Sequence, residues 1–363
     1  MAKQMRICVL AGDGIGPEIT RQALKIVGIA ADYLEMELVR DESLIGGAAI
    51  DAEGLPLPLQ TITHCRSADA VLLGAVGGSK WDTLPMHLRP EAGLMALRAK
   101  MGLYANIRPA MLLKPLRSVA PLHSEIDGFD LLMVRELAGG IYFGDKGKTD
   151  VDGARAAYDT EIYTAPEIER IARIAFRFAQ NRRKNLVSID KSSMLQTSRL
   201  WRETVEQLHS EFPDVTLRHL HADHAAMELI RNPAQFDVIV TSNLFGDILS
   251  EEAAALTGSV GLVPSASLGY TTKGIYEAVH GSAPDLAGKN VANPIGAIRS
   301  AAMMFQFSFS RKDIGDAIEQ AVTETLESCR TADIAVSGLE VVSTEEMGDR
   351  VAQKLRSLLS SKG

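Results

Sequence analysis

Three carboxylates in this chain have types and spacings suited to metal chemistry. Asp247 and Glu251, in VIVTSNLFGDILSEE, stand four apart on a helix that follows an apolar strand, so they share a face. Asp223, in HLHADHAAMEL, falls where another strand gives way to a helix. An all-oxygen set of this kind suits Mg²⁺ or Mn²⁺. Each aspartate also suits a plain helix N-terminus, where a carboxylate caps the first free N–H groups. Lys191, in LVSIDKSSML, ends a strand. Beside arginines its ammonium would give up its proton more readily, as a general base requires; on an open loop it is a solvated cation. His209, His219 and His224 show no metal-ligand spacing.

Two segments offer cationic forks. In FDLLMVRELAGGIYFGDKG, Arg135 and Glu136 follow a strand core, and Gly139 and Gly140 turn the chain towards Tyr142. An arginine at a strand end is either a clamp for a carboxylate or a surface ion pair, and Tyr142 either a reactive hydroxyl or a packed aromatic. In RPEAGLMALRAKMGLYANIRP, a helix over 91–99 puts Glu91, Leu94, Met95 and Arg98 on one face at i, i+3, i+4 and i+7. That face suits a small organic acid with a branched alkyl tail, and equally an ordinary amphipathic helix. Arg108, before Pro109, lies on extended backbone.

LAGDGIGPEI raises a different question. Gly12, Gly14 and Gly16 run as G-x-G-x-G, not the G-x-G-x-x-G that cradles a pyrophosphate, and Pro17 and Glu18 then open a helix. The spacing predicts a strand, a tight turn and a helix start with no ligand of its own.

The elements that must position these groups alternate. Apolar runs at 7–10, 70–73, 131–134, 186–189, 215–220 and 236–240 read as strands between helical stretches, the pattern of an α/β protein with largely parallel strands. One helix is announced by Thr164 as cap and Pro166 in the first turn, with Ile168, Ile171, Ala175 and Phe178 as its inner face. Residues 253–272 read as a helix end followed by a buried loop, and helices dominate from 295 onwards except over 329–343.

A chain of 363 residues exceeds a single core, which predicts two domains. Its net charge of −8 gives no general attraction to nucleic acid or anionic lipid. Cys8, Cys65 and Cys329 are too few and too scattered for a disulfide framework, and no secretory leader is legible, which together predict a reducing cytoplasm.

Taken in order, GDGIGPE, LRPEAGLMALR, ANIRPA, VRELAGGIYFG, DKSSML, FGDILSEE, GLVPSASLG and EAVHGSAPDLAGKNVANP resemble the β-decarboxylating isocitrate/isopropylmalate dehydrogenase family over residues 7–310. The resemblance implies a two-domain α/β fold, a largely parallel sheet flanked by helices and not a Rossmann fold. It implies a discontinuous cofactor-binding domain over 1–103 plus 258–363, and a substrate, metal and dimerisation domain over 104–257. It implies NAD⁺-dependent oxidation of a 2-hydroxyl followed by loss of CO₂, with Mg²⁺ or Mn²⁺ on Asp223, Asp247 and Glu251, and it leaves room for a monovalent cation such as K⁺. Arg98, Arg108 and Arg135 would clamp the malate carboxylates, Lys191 would act as base and Tyr142 as acid. His280, Gly281, Ser282, Ala283, Asp285 and Asn293 would bind NAD⁺, Asp285 accepting the ribose 2′-hydroxyl and repelling a 2′-phosphate. Lys191 and Asp223 would reach into the neighbouring subunit's site, which makes a homodimer.

Two departures stand out. Glu251 replaces the family's usual aspartate, and the extra methylene would favour a water-mediated metal contact. Met95 replaces a common leucine at nearly constant volume. Leu94 and Met95, with Glu91 adding a negative charge, favour 3-isopropylmalate, converted to 2-oxo-isocaproate in leucine biosynthesis, because a carboxylate there would meet an apolar wall. Isocitrate, homoisocitrate, tartrate or malate are the alternative substrates, and a non-catalytic regulatory relative the alternative class.

Overall fold

A computed structural model describes residues 3–122 and 128–361, which fall into two compact units. The first comprises Met1–Leu103, Leu112–Glu125 and Ala254–Gly363, and the second Tyr104–Met111 and Ile126–Ala253. The substrate domain expected over 104–257 thus yields two pieces to the first unit. The physical reason lies in local packing: Arg330 donates to the Pro115 carbonyl at 2.6 Å, and a Cβ at Gly258 would sit 2.9 Å from Val119.

In the first unit the strands run in the order Met36–Glu42, Lys3–Gly12, Ala70–Ala75, Gly274–Ala278 and Pro264–Gly269, parallel except for the last pair. Ala70–Ala75 is buried along its whole length, as a central strand covered on both faces must be. The helices Gly16–Tyr33, Ile295–Phe307, Lys312–Thr325 and Thr344–Ser360 pack on one another. Within 253–272 the chain forms the strand Pro264–Gly269 where a loop was expected. Ser265 and Ser267, both fully buried in that strand, disguised it as polar.

In the second unit the order is Leu103–Met111, Asp130–Glu136, Val238–Thr241, Asn185–Asp190 and Thr216–His221, antiparallel in the first pair and parallel thereafter. An exposed hairpin, Lys146–Val151 with Ala154–Asp159, stands as a sheet of its own. The helix Ala165–Gln180 starts where Thr164 predicts: the Thr164 N–H and hydroxyl donate to the Glu167 carboxylate at 2.8 and 2.7 Å. Its inner face carries Phe176 rather than Phe178, because at about 3.6 residues per turn Phe176 and Ala179 fall about 2.2 and 3.1 turns from Ile168, close to its face, whereas Phe178 falls about 2.8 turns on and points away. Helix N-termini and the catalytic candidates gather at the carboxyl ends of these strands, where open α/β sheets place their ligands.

Candidate active site

In the second unit Arg135 ends the strand Asp130–Glu136, and its neighbours across the sheet are Asn106 on one side and Thr241 on the other. Thr241 leads directly into the helix Asn243–Ala255, which carries the acids. Asn243 therefore comes within reach of the guanidinium and its side-chain oxygen accepts from Arg135 Nε at 3.1 Å and Nη2 at 2.8 Å. Nη1 donates to Asp247. Gly246 makes room, since a Cβ there would sit 2.7 Å from Arg135 Cγ. Arg108 is held in the same style, Nε donating to the Asn106 side chain at 2.6 Å and Nη1 to Ser250 at 2.7 Å. Asp247 and Glu251 lie 3.9 and 3.5 Å from its guanidinium.

Two arginines at 9% and 5% side-chain exposure are thus pinned largely by neutral oxygens, with the half-exposed carboxylates on their outer side. Such buried cations demand an anionic neighbour. Tyr142 donates to Asp247 at 2.9 Å, and burial together with that carboxylate pushes its hydroxyl up to about 12. It therefore holds its proton throughout the physiological range. Burial also raises the Glu251 carboxyl above its usual value, against the pull of Arg108.

Lys191 and Asp223 form a second group. Lys191 follows its strand directly and Asp223 stands in the first turn of the helix after its strand, and the ammonium meets the carboxylate at 2.6 Å. That hydrogen bond holds the Asp223 carboxyl below the usual range. The strand end below Lys191 is fixed by buried Asp190, which takes Arg202 through two contacts at 2.8 and 2.9 Å. Asp223 does not join Asp247 and Glu251 within one chain. Among the described residues no three His, Cys, Asp or Glu side chains form a cage. The sheet order explains this: Thr216–His221 lies two strands from Val238–Thr241, about 10 Å away. The charge partner of Lys191 within the chain is Asp223 rather than the expected arginines.

In the first unit the helix Pro90–Lys100 buries Gly93 and Leu97 and leaves Leu94, Met95 and Arg98 half-buried, with Glu91 exposed above Gly77. Leu94 packs at the edge of the core around Leu97. Arg98 pairs with Glu277 at 2.6 Å while its Nε is buried with no hydrogen-bond partner, an orphan donor of the kind that a ligand satisfies.

The first unit also contains a cavity of about 290 Å³ walled by Ile15, Val260, Leu286 and Val291, with His280, Gly281, Asn293 and Asp333 at its polar side. His280 Nε2 is buried without a partner, and burial lowers the ring's proton affinity, so it is neutral. A Cβ on Gly281 would meet open space. Ala283 is held at φ +39°, a strained conformation for a residue with a side chain. Asp285 is exposed on the turn beside Leu286.

The glycine turn lies under this loop. Ile15 N–H donates to the Ser282 carbonyl at 2.8 Å, Ser282 Oγ donates to the Gly77 carbonyl at 2.7 Å, and Glu18 accepts from Gly288 N–H. A Cβ on Gly14, at φ +57°, would sit 2.0 Å from the Ser282 oxygen. Asp13, 5% exposed, takes the N–H groups of Gly47, Ala48 and Gly77 at 2.7 to 2.9 Å. With the Asp13, Ile15 and Gly16 N–H groups spent on protein carbonyls, the turn braces a loop instead of cradling a phosphate.

The isocitrate/isopropylmalate dehydrogenase family model matches residues 6–351. The chain belongs to this family. A 3-isopropylmalate dehydrogenase of Pseudomonas fluorescens is 51% identical over 99% of this chain and 100% of its own length, and one of Moorella thermoacetica 53% identical over 96% and 99%. Among solved structures, isocitrate dehydrogenase from Methylococcus capsulatus is similar with a TM-score of 0.86 at 33% identity, covering 97% of this chain and 100% of that one. A β-decarboxylating dehydrogenase from Thermococcus kodakarensis reaches 0.78 at 32% identity, covering 98% of each chain. Family membership makes the chain an oxidoreductase, a dehydrogenase in a family whose members use a nicotinamide dinucleotide and a divalent metal.

Several residues at these isocitrate/isopropylmalate dehydrogenase sites escaped sequence reasoning. Asn106, Asn243 and Ser250 orient the arginines, Glu277 orients Arg98, and Asp333 meets Asn293 in the cavity. Asn106 stands two residues before Arg108, and Asn243 four before Asp247, so both lay inside quoted motifs. For Asp333 and Glu277 the contact exists only after folding.

Proposed function

We propose that this protein catalyses the NAD⁺-dependent oxidative decarboxylation of 3-isopropylmalate to 2-oxo-isocaproate, a step of leucine biosynthesis. What carries the reading is identity above one half, over almost the full length, with enzymes of that name. The half-buried Leu94 and Met95 support it, since an isopropyl group resting there would gain about 1.5 to 3 kcal/mol where a third carboxylate would lose hydration.

The residues present fit both groups the reaction needs. The cavity beside orphaned His280 Nε2 and open Gly281 suits the dinucleotide, held by the loop of His280, Gly281, Ser282, Ala283, Asp285 and Asn293. Exposed Asp285 would take the ribose 2′-hydroxyl and disfavour NADP⁺. Asp247 and Glu251 supply the oxygen donors that Mg²⁺ or Mn²⁺ requires, and Asp223 would complete the set. When bound, the nicotinamide takes up the hydride while the divalent ion polarises the 2-hydroxyl oxygen as a Lewis acid.

Arg98, Arg108 and Arg135 grip the malate carboxylates, the last two with guanidinium planes that Asn106 and Asn243 hold in place. Lys191 takes the hydroxyl proton as C2 is oxidised. After CO₂ leaves, Tyr142 delivers a proton to C3 of the enol, its hydroxyl protonated at working pH.

Lys191 and Asp223 act on the site of a second copy in this reading. Asp223, at 70% side-chain exposure, shares its helix face with exposed Met227 and Ile230, and Met194, Leu195 and Ile248 are exposed nearby in sequence to Lys191 and Asp247. A homodimer would cover these apolar side chains and bring the third carboxylate to the other two.

The test is reduction of NAD⁺ by purified protein with Mn²⁺ on 3-isopropylmalate, isocitrate, tartrate and malate. Turnover chiefly on 3-isopropylmalate, with release of CO₂ and 2-oxo-isocaproate, is expected. Turnover on isocitrate alone, or on none, overturns the reading.

A further inference from the structure

Asn293 lies in the wall of the first unit's cavity, 6% exposed, with both ends of its amide engaged. Its oxygen accepts from Ile295 N–H at 3.0 Å, and its nitrogen donates to Asp333 Oδ2 at 3.0 Å. Asp333 is itself fixed, taking the hydroxyls of Ser259 and Thr331 at 2.5 Å each. A carboxylate only accepts, and a backbone N–H only donates. Turning the amide over would set oxygen against carboxylate and NH₂ against N–H, so the two neighbours permit one orientation.

Each end of that amide retains capacity: one N–H on the nitrogen and one lone pair on the oxygen. A donor beside an acceptor matches the edge of adenine, whose N1 accepts and whose N6 amino group donates. Hypoxanthine presents the reverse, a donating N1–H and an accepting O6. The apolar walls Ile15, Leu286 and Val291 suit a flat heterocycle.

We propose that Asp333 is a positioning residue that fixes the sense of the Asn293 amide and thereby selects adenine over 6-oxopurines in the dinucleotide. The assignment rests on the dinucleotide reading above and adds the base-recognition element to it. Rejection of a reversed hydrogen-bond pattern exceeds what shape supplies, because wrong pairing leaves buried polar groups unmet.

The experiment is calorimetric titration, without substrate, of NAD⁺ and of nicotinamide hypoxanthine dinucleotide into the wild-type protein, Asp333→Asn and Asp333→Ala, with thermal melts run alongside. Asp333→Asn keeps the size of the side chain but can face Asn293 with either end of its amide. The wild type is expected to bind NAD⁺ about tenfold or more tightly over the hypoxanthine analogue. Both variants should lose most of that ratio, and Asp333→Glu should restore part of it. In turnover assays the loss should fall on the KM for NAD⁺ more than on kcat. A purely structural role would weaken both dinucleotides equally and leave the ratio intact, which overturns the proposal, as does a wild type without preference. Failure of NAD⁺ to bind the wild type overturns the dinucleotide reading as well; binding with an unaltered ratio in the variants overturns the Asp333 assignment alone.

Discussion

The arginine cluster of the second unit and the cavity of the first are built on opposite plans. In the cluster, charged side chains are oriented by other side chains: Asn106 and Ser250 hold Arg108, and Asn243 holds Arg135. Around the cavity, much of the side-chain work is directed at backbone. Asp13 gathers three loop N–H groups, Glu18 takes a fourth, Ser282 donates to a carbonyl, and Ala283 is kept in a strained conformation. The difference teaches that recognition by charge is carried by residue type, whereas recognition by loop shape is carried by residues that need not touch the ligand at all.

The comparison can be broken most severely on the side of the charged groups. Lys191→Met should lower kcat by about 10² to 10⁴, the range for removing a general base, while calorimetry shows NAD⁺ binding retained. A variant of full activity removes lysine from the mechanism. Arg135→Ala should reduce kcat/KM on 3-isopropylmalate by about 10² to 10³, since it deletes a carboxylate partner and leaves Asp247 without its nearest cation. An unchanged kcat/KM rejects the clamp. Mixing these two inactive variants under conditions of subunit exchange sharpens the reading: sites shared across a dimer would restore about a quarter of wild-type activity, and sites confined to one chain none.

On the side of the loop the effects should be smaller and should appear in cofactor parameters. Gly14→Ala places a methyl group against the Ser282 oxygen, so the KM for NAD⁺ should rise and the melting midpoint fall, at a cost of about 1 to 3 kcal/mol. A rise in the KM for 3-isopropylmalate alone would reject the brace. The smallest effect concerns His280. Burial depresses its folded pKa below the unfolded value near 6.5, so the folded state binds fewer protons there. The stability this contributes is fully present above pH 6.5 and is lost as pH falls through the depressed folded value. His280→Gln should therefore flatten the decline in melting midpoint on the acid side of pH 6.5, and an identical slope would show that the ring titrates without cost.

The catalytic candidates were legible because their chemistry forces their placement. A charge directly after an apolar strand core has few tolerable surroundings, which singles out Arg135 and Lys191, Asp223 lies where a strand gives way to a helix, and a helix period of about 3.6 puts Asp247 and Glu251 together. The strand Pro264–Gly269 escaped notice because Ser265 and Ser267 are buried in it, a burial that no local pattern of polarity reveals. GDGIGPE reads as a turn with no ligand of its own, and its glycines answer to the close approach of backbone at Ala75 and Ser282.

The sequence by itself determined the alternation of strands and helices, the start of the helix at Ala165, and which carboxylates, lysine and arginines stand at strand ends and on shared helix faces. These follow from local periodicity, capping and the cost of isolated charge. Tertiary structure decided which neutral oxygens hold the arginines, which carboxylate pins Asn293, and that Asp223 pairs with Lys191 two strands away from Asp247. Those pairings join residues as far apart as Arg135 and Asn243, 108 positions on, and only the order of strands in a folded sheet brings them within hydrogen-bond reach.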